Sequence, residues 1–261
     1  MPTESTPTSD DVAPPITSSA ERSLRLLALL AKTGRALSLA ELATGLDLPK
    51  ASAHRLCVQL LSTGFVARDV DERSYAVGPA LRRLAFDALN HDTVRGLRHD
   101  VLATLVAQVG ETCNFTTLDG ARVLYLDRVE AHWPLRLTLE VGSHVPLHCT
   151  ASGKLLLAHL PKAQRDLLLA RLPLEPNTPN TLNSPDALRS ECELIAAQGH
   201  ACDNEEFITG LIAVAVPVRD AAGQVRAALA VHAPTARMTL RAALERVPAM
   251  HEAARSMSGL L

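Results

Sequence analysis

The sequence predicts an α+β protein in two parts, helices and a small hairpin first and a mixed run of strands and helices after it. Three observations carry this. Short helical patterns and a hairpin fill residues 19–78. A proline-opened helix over 79–92 reads as a linker. Strand-like runs with turn signals, interleaved with helices, then dominate 93–261. A chain of 261 residues with 47% apolar content is long enough for two compact cores.

Residues 1–18 hold four prolines and seven serines or threonines, the composition of a disordered, flexible tail. Leu24, Leu27, Ala28 and Ala31 then recur at helical spacing, and the pattern ends near Thr33-Gly34. Ser38-Leu39-Ala40-Glu41 forms a capping box, in which serine caps a free amide three residues on and glutamate reaches back. This second helix stops at Gly45. Pro49 falls in the first turn of a third helix, which reaches Ser62. Phe65–Ala67 and Tyr75–Val77 are short strand runs around a polar loop. Three helices and a hairpin are the layout of a winged helix-turn-helix.

Beyond the linker, a helix is expected over about 94–109. Strands are expected at Cys113–Leu118, Arg122–Val129, Leu135–Val141, Leu211–Val218 and Val225–His232. Helices are expected after Ser152, Lys162 and Ser184-Pro185, with one last helix from Thr239.

The third helix points to nucleic acid. Ala53, Leu56, Cys57 and Leu60 share one apolar face, which leaves Ala51, Arg55 and Gln59 outward and Ser52 and His54 on the flanks. Arginine pairs bidentately with guanine and glutamine with adenine. Lys50, Ser52 and the leading amides suit phosphates. The net charge is −2, but residues 20–90 carry ten basic against seven acidic groups, a balance that permits a DNA-facing surface. An ordinary helical hairpin with a solvated polar face is the competing reading.

No apolar run reaches the roughly 18–20 residues that span a bilayer, and the first positive charge is Arg22, so neither membrane nor export is expected. Five scattered cysteines read as free thiols in a reducing cytoplasm. No catalytic motif of the GxSxG or HExxH type occurs. A P-loop would need glycine where His148 stands and Ser or Thr where Leu155 stands. His144, His148 and Cys149 fit no standard zinc spacing, so no metal or other cofactor is expected. Thr150–Lys154 is a glycine-containing turn into an apolar helix, able to aim amides at an anion.

Several stretches together resemble one family. Ser38–Leu42, Leu48–Leu56, Gly64–Val66 and Tyr75–Gly78 are similar to the DNA-binding half of the IclR regulators. The similarity continues through Val123–Val129, Cys149–Lys154, Asp203–Phe207, Gly210-Leu211 and Arg237–Thr239. It covers about 19–260 in order.

That resemblance implies a GAF-like α/β effector-binding domain, a palindromic double-stranded DNA operator, homodimers or homotetramers, and a small-molecule effector, a carboxylate for choice. It implies effector contacts at Ala151, Ser152, Asp203, Leu211, Ala213, Ala230 and His232. Gly153 belongs to the same turn, and Leu137 is expected to add apolar wall. Carboxylate-sensing members carry Cys or Ser where this chain has Ala213, Ala230 and His232, which suggests a larger or partly apolar ligand. His232 reads equally as a core histidine. A metabolite-binding protein or cryptic enzyme whose N-terminal helices only mediate assembly is the alternative to a regulator.

Overall fold

The structure is a computed structural model that describes residues 18–69, 72–89, 91–134 and 139–260. Except for Ser18, the tail expected over 1–18 lies outside them. The chain forms two compact units, and their boundary falls between Leu84 and Ala85, inside the expected linker helix.

In the first unit α1 (Ser19–Thr33) starts at Ser18, whose side chain accepts from the Glu21 amide at 3.1 Å, and ends at Gly34 in the left-handed conformation. The capping box forms as expected on α2 (Leu39–Gly45): Glu41 N–H donates to Ser38 Oγ and Ser38 N–H to Glu41 Oε2. The turn into α3 (Lys50–Ser62) puts Asp47 at φ 51°, a left-handed position that a short polar side chain tolerates. Pro49 is the N-cap of α3 and not part of its first turn. Strands β2 (Val66–Arg68) and β3 (Ser74–Val77) pair antiparallel. A strand too short to leave a sequence pattern, β1 (Leu37–Ser38), joins them in the order β1-β3-β2. Leu26, Leu30, Leu42, Leu56, Cys57 and Tyr75 form the core.

Helix α4 (Pro79–Leu89) crosses the boundary and α5 (Asp92–Val109) follows. The second unit is built on one antiparallel sheet, order β6-β5-β4-β9-β8-β7. Its strands are β4 (Thr112–Asp119), β5 (Arg122–Val129), β6 (His144–Pro146), β7 (Ala201–Asn204), β8 (Leu211–Arg219) and β9 (Val225–Pro234). Strands β6 and β7 were not anticipated, since three or four residues carry too little alternation to read. The expected strand at Leu135–Val141 is absent where it can be judged: residues 135–138 lie outside the described set, and Leu139–Val141 leads into a turn. The expected last helix is two, α9 (Leu240–Leu244) and α10 (Val247–Met257), because Pro248 fits only the start of a helix.

Strand alternation gives the sheet two unlike faces. On one, Phe115, Val214, Val216, Leu229 and Val231 pack with Leu102 and Leu105 of α5 and Met250 and Met257 of α10. On the other, β8 and β9 present Ala213, Ala215, Ala228 and Ala230 toward α6 (Ala151–Ala158), which is backed by α8 (Pro185–Gln198). Between α6 and α8 in sequence lies α7 (Lys162–Leu169). Among the described residues, no helix is long and apolar enough to cross a membrane.

Candidate functional site

Two sites emerge, one in each unit. On α3, Ala53, Leu56 and Cys57 are buried, while Lys50, Ala51, His54, Arg55 and Gln59 are exposed and Ser52 is half-buried. All six sequence-predicted residues therefore lie off the buried stripe. Arg55 Nη2 donates to Ser52 Oγ at 3.2 Å, one turn back along the helix. Beside them Ser19, Arg22, Leu56 and Gln59 line a shallow cleft against α1. Pro49 brings no capping side chain, so the Lys50 and Ala51 amides stay open at the helix start. No acidic residue occurs on α3. A cationic helix end with small leading residues can meet phosphates and approach base edges.

In the second unit, the small alanine side chains of the sheet leave a cavity of about 30 Å³ beneath the start of α6. Of the sequence-predicted effector residues, Ala151, Ser152, Asp203, Leu211, Ala213, Ala230 and His232 line it together. Leu137 lies outside the described residues. Gly153 does not line the cavity. Its amide is spent on the Thr150 side chain at 3.1 Å, and a Cβ there would sit 2.3 Å from the Leu147 carbonyl oxygen. Its role is close packing of the turn, while the Ala151 and Ser152 amides remain open.

Asn114, Tyr125, Leu139, Val145, Thr150 and Phe207 complete the lining. Asn114 had a readable signal, a polar residue flanked by Cys113 and Phe115 in an apolar strand. The others needed the fold. Tyr125, Leu139, Val145 and Phe207 add apolar wall beside Ala213 and Ala230.

Register fixes the polar groups. Asp203 pairs with Ala213, and Ala213 with His232, so the three form one row across β7, β8 and β9. Asp203 is 2% exposed, and its Oδ1 accepts from the amides of Glu206 at 2.7 Å and Phe207 at 3.3 Å. Burial pushes its carboxyl up to about 7, although those two amides pull the other way. His232 is driven down to about 3 by burial and by the positive charges of Arg128 and Arg237. It is therefore neutral, and its Nδ1 lies 2.8 Å from Asn114 Nδ2. Behind Asp203, buried Lys154 donates to Glu206 and Glu191. The rings at the rejected metal positions are engaged elsewhere, His144 with Asp119 and His148 with the Glu175 carbonyl.

The chain matches the family model described as bacterial transcriptional regulator IclR C-terminal over residues 86–259, and the IclR helix-turn-helix domain over 19–70. The chain belongs to the IclR family. It is 44% identical over 238 residues to the "Probable transcriptional regulator SauR" of Cupriavidus necator, covering 91% of this chain and 94% of that one. To the HTH-type transcriptional regulator BhcR of Paracoccus denitrificans it is 33% identical, covering 91% and 85%. Among solved structures, the IclR of Thermotoga maritima superposes with a TM-score of 0.62 at 29% identity, covering 92% of this chain and 97% of that chain. This IclR-family protein is a ligand-responsive, DNA-binding transcriptional regulator and not an enzyme. The alternative of helices serving assembly alone falls away, because the helix-turn-helix itself matches.

Proposed function

We propose that this regulator senses a small carboxylate in the cavity under α6 and, in the cytoplasm, reads a palindromic operator as a homodimer or homotetramer. In this reading residues 19–78 grip DNA, 79–92 link, and 93–261 sense. The observation that carries it is the convergence on one small cavity of the open Ala151 and Ser152 amides with the Asp203–Ala213–His232 row. Helix-start amides favour an anion. On α3, Arg55 is the base-reading residue, with Gln59 beside it and Lys50, Ala51, Ser52 and His54 around the phosphates. Symmetric pairing doubles the few contacts one winged helix makes.

The effector must bind the DNA-competent and incompetent arrangements unequally, and α4 is the covalent link through which the difference passes. Short-chain acids that raise the melting temperature are titrated against operator DNA in mobility shifts. Arg55→Ala loses about 1–3 kcal/mol of specific binding with the fold intact, and a footprint shows an inverted repeat. Asp203→Ala keeps operator binding and loses the ligand response. A folded Arg55→Ala protein with parental affinity removes the α3 assignment. A parental ligand response in Asp203→Ala removes the pocket assignment.

A further inference from the structure

We infer that the ligand carries a hydroxyl beside its carboxylate, making it a short-chain hydroxy acid whose hydroxyl sits over Ala213 between Asp203 and His232. This rests on the carboxylate reading above and adds the second functional group.

The argument is a count of protons. The Arg128 guanidinium can only donate, and its Nη1 lies 3.0 Å from Asn114 Oδ1. The Asn114 amide is thereby oriented, and its Nδ2 must donate to His232 Nδ1. A neutral imidazole that accepts at Nδ1 carries its proton on Nε2. His232 therefore offers the cavity a donor. Across the row, Asp203 Oδ1 is occupied by two backbone amides, and its other oxygen has no hydrogen-bond partner among the described residues. Once ionised, above the value of about 7 to which burial raises it, Asp203 offers an acceptor.

Asp203 and His232 stand on strands two spacings of about 4.8 Å apart, and their side chains reach into the cavity from either side of the Ala213 methyl group. A group that sits between them must donate on one side and accept on the other. A hydroxyl does both. An oxo oxygen only accepts, an ammonium only donates, and a methyl does neither. The carboxylate end then meets the open Ala151 and Ser152 amides at the start of α6. The depressed pKa of His232 keeps the imidazole from becoming a second cation and preserves this pattern.

The test uses the full-length protein and two matched series: acetate and glycolate; propionate, pyruvate and lactate. Ethylene glycol and 1,2-propanediol serve as neutral partners. Binding is read by calorimetry or ligand-observed NMR at a pH well above 7, where the Asp203 carboxyl is ionised. Glycolate or lactate is expected to bind roughly tenfold or more tightly than every other acid of its series, since each unmade hydrogen bond leaves a buried group unpaired. Asp203→Asn presents an amide donor where the parent has an acceptor, and it should move the preference toward the oxo acid. Equal affinity for the acids within both series overturns the hydroxyl inference and leaves the carboxylate reading standing. A neutral diol that binds as tightly as its hydroxy acid overturns the carboxylate reading. No binding by any of them overturns both.

Discussion

The two faces of the six-stranded sheet are made by the same two central strands and do opposite work. Along β8, Ile212, Val214, Val216 and Val218 point to α5 and α10, while Ala213 and Ala215 point to α6. On β9 the alternation sets Leu229 and Val231 against Ala228, Ala230 and His232. One face is filled with branched side chains and supplies hydrophobic stabilisation. The other face withholds volume, and the space left over holds Asp203 and His232. A strand period of two thus divides stability from recognition residue by residue.

The largest expected effect breaks the filled face. Phe115 is fully buried among Leu102, Leu105 and Leu229, with the Arg98 guanidinium 5.3 Å from its ring centroid. Phe115→Ala should lower the unfolding free energy by about 3–5 kcal/mol, measured by denaturant titration. A loss under about 1 kcal/mol would mean that this face is not the one that holds the unit together.

The sequence made the filled face legible and the other only partly so. Alternating Leu211–Val218 and Val225–His232 gave the two central strands, and the Ser38–Glu41 box gave the helix start before the recognition helix, because caps and alternation are local. The pocket is not local. Asp203, Ala213 and His232 become neighbours through strand register, and Asn114 reaches His232 across 118 positions. Only the family resemblance placed most of them on one site. Gly153 shows the same limit: the carbonyl that forbids a side chain there belongs to Leu147, six residues back, and only the turn brings it close. Strands β6 and β7 were too short to see.

A smaller effect tests whether the open face carries a cost. Asp203 titrates at 3.8 when unperturbed and at about 7 in the fold. Between those values the native state holds a proton that the unfolded chain has released, so its contribution to stability falls as pH rises from about 4 to about 7 and is flat beyond. Asp203→Asn removes the titration while its Oδ1 still accepts the Glu206 and Phe207 amides. The variant should therefore gain on the parent through that window, by about 1.4 kcal/mol per pKa unit at most, and hold its lead at higher pH. Denaturant midpoints at pH 5 and pH 8 decide it. A difference that does not change with pH would show that burial of this carboxylate costs the fold nothing.

The smallest effect separates the faces most cleanly, because one substitution is made on each. Ala213 lines the cavity and Ala227 lies in the filled core, on adjacent central strands. Valine suits a pleated strand, so backbone preference is the same for both and only the surroundings differ. At Ala227 two added methyl groups meet side chains packed at crystal density, and Ala227→Val should cost about 1–3 kcal/mol. At Ala213 the same groups enter the space between Asp203 and His232. Ala213→Val should then change stability by less than about 1 kcal/mol while abolishing the thermal shift produced by any ligand of the cavity. Equal losses of stability at the two positions would mean that the alanine face is packed as tightly as the valine face, and that the cavity is not where ligand is held.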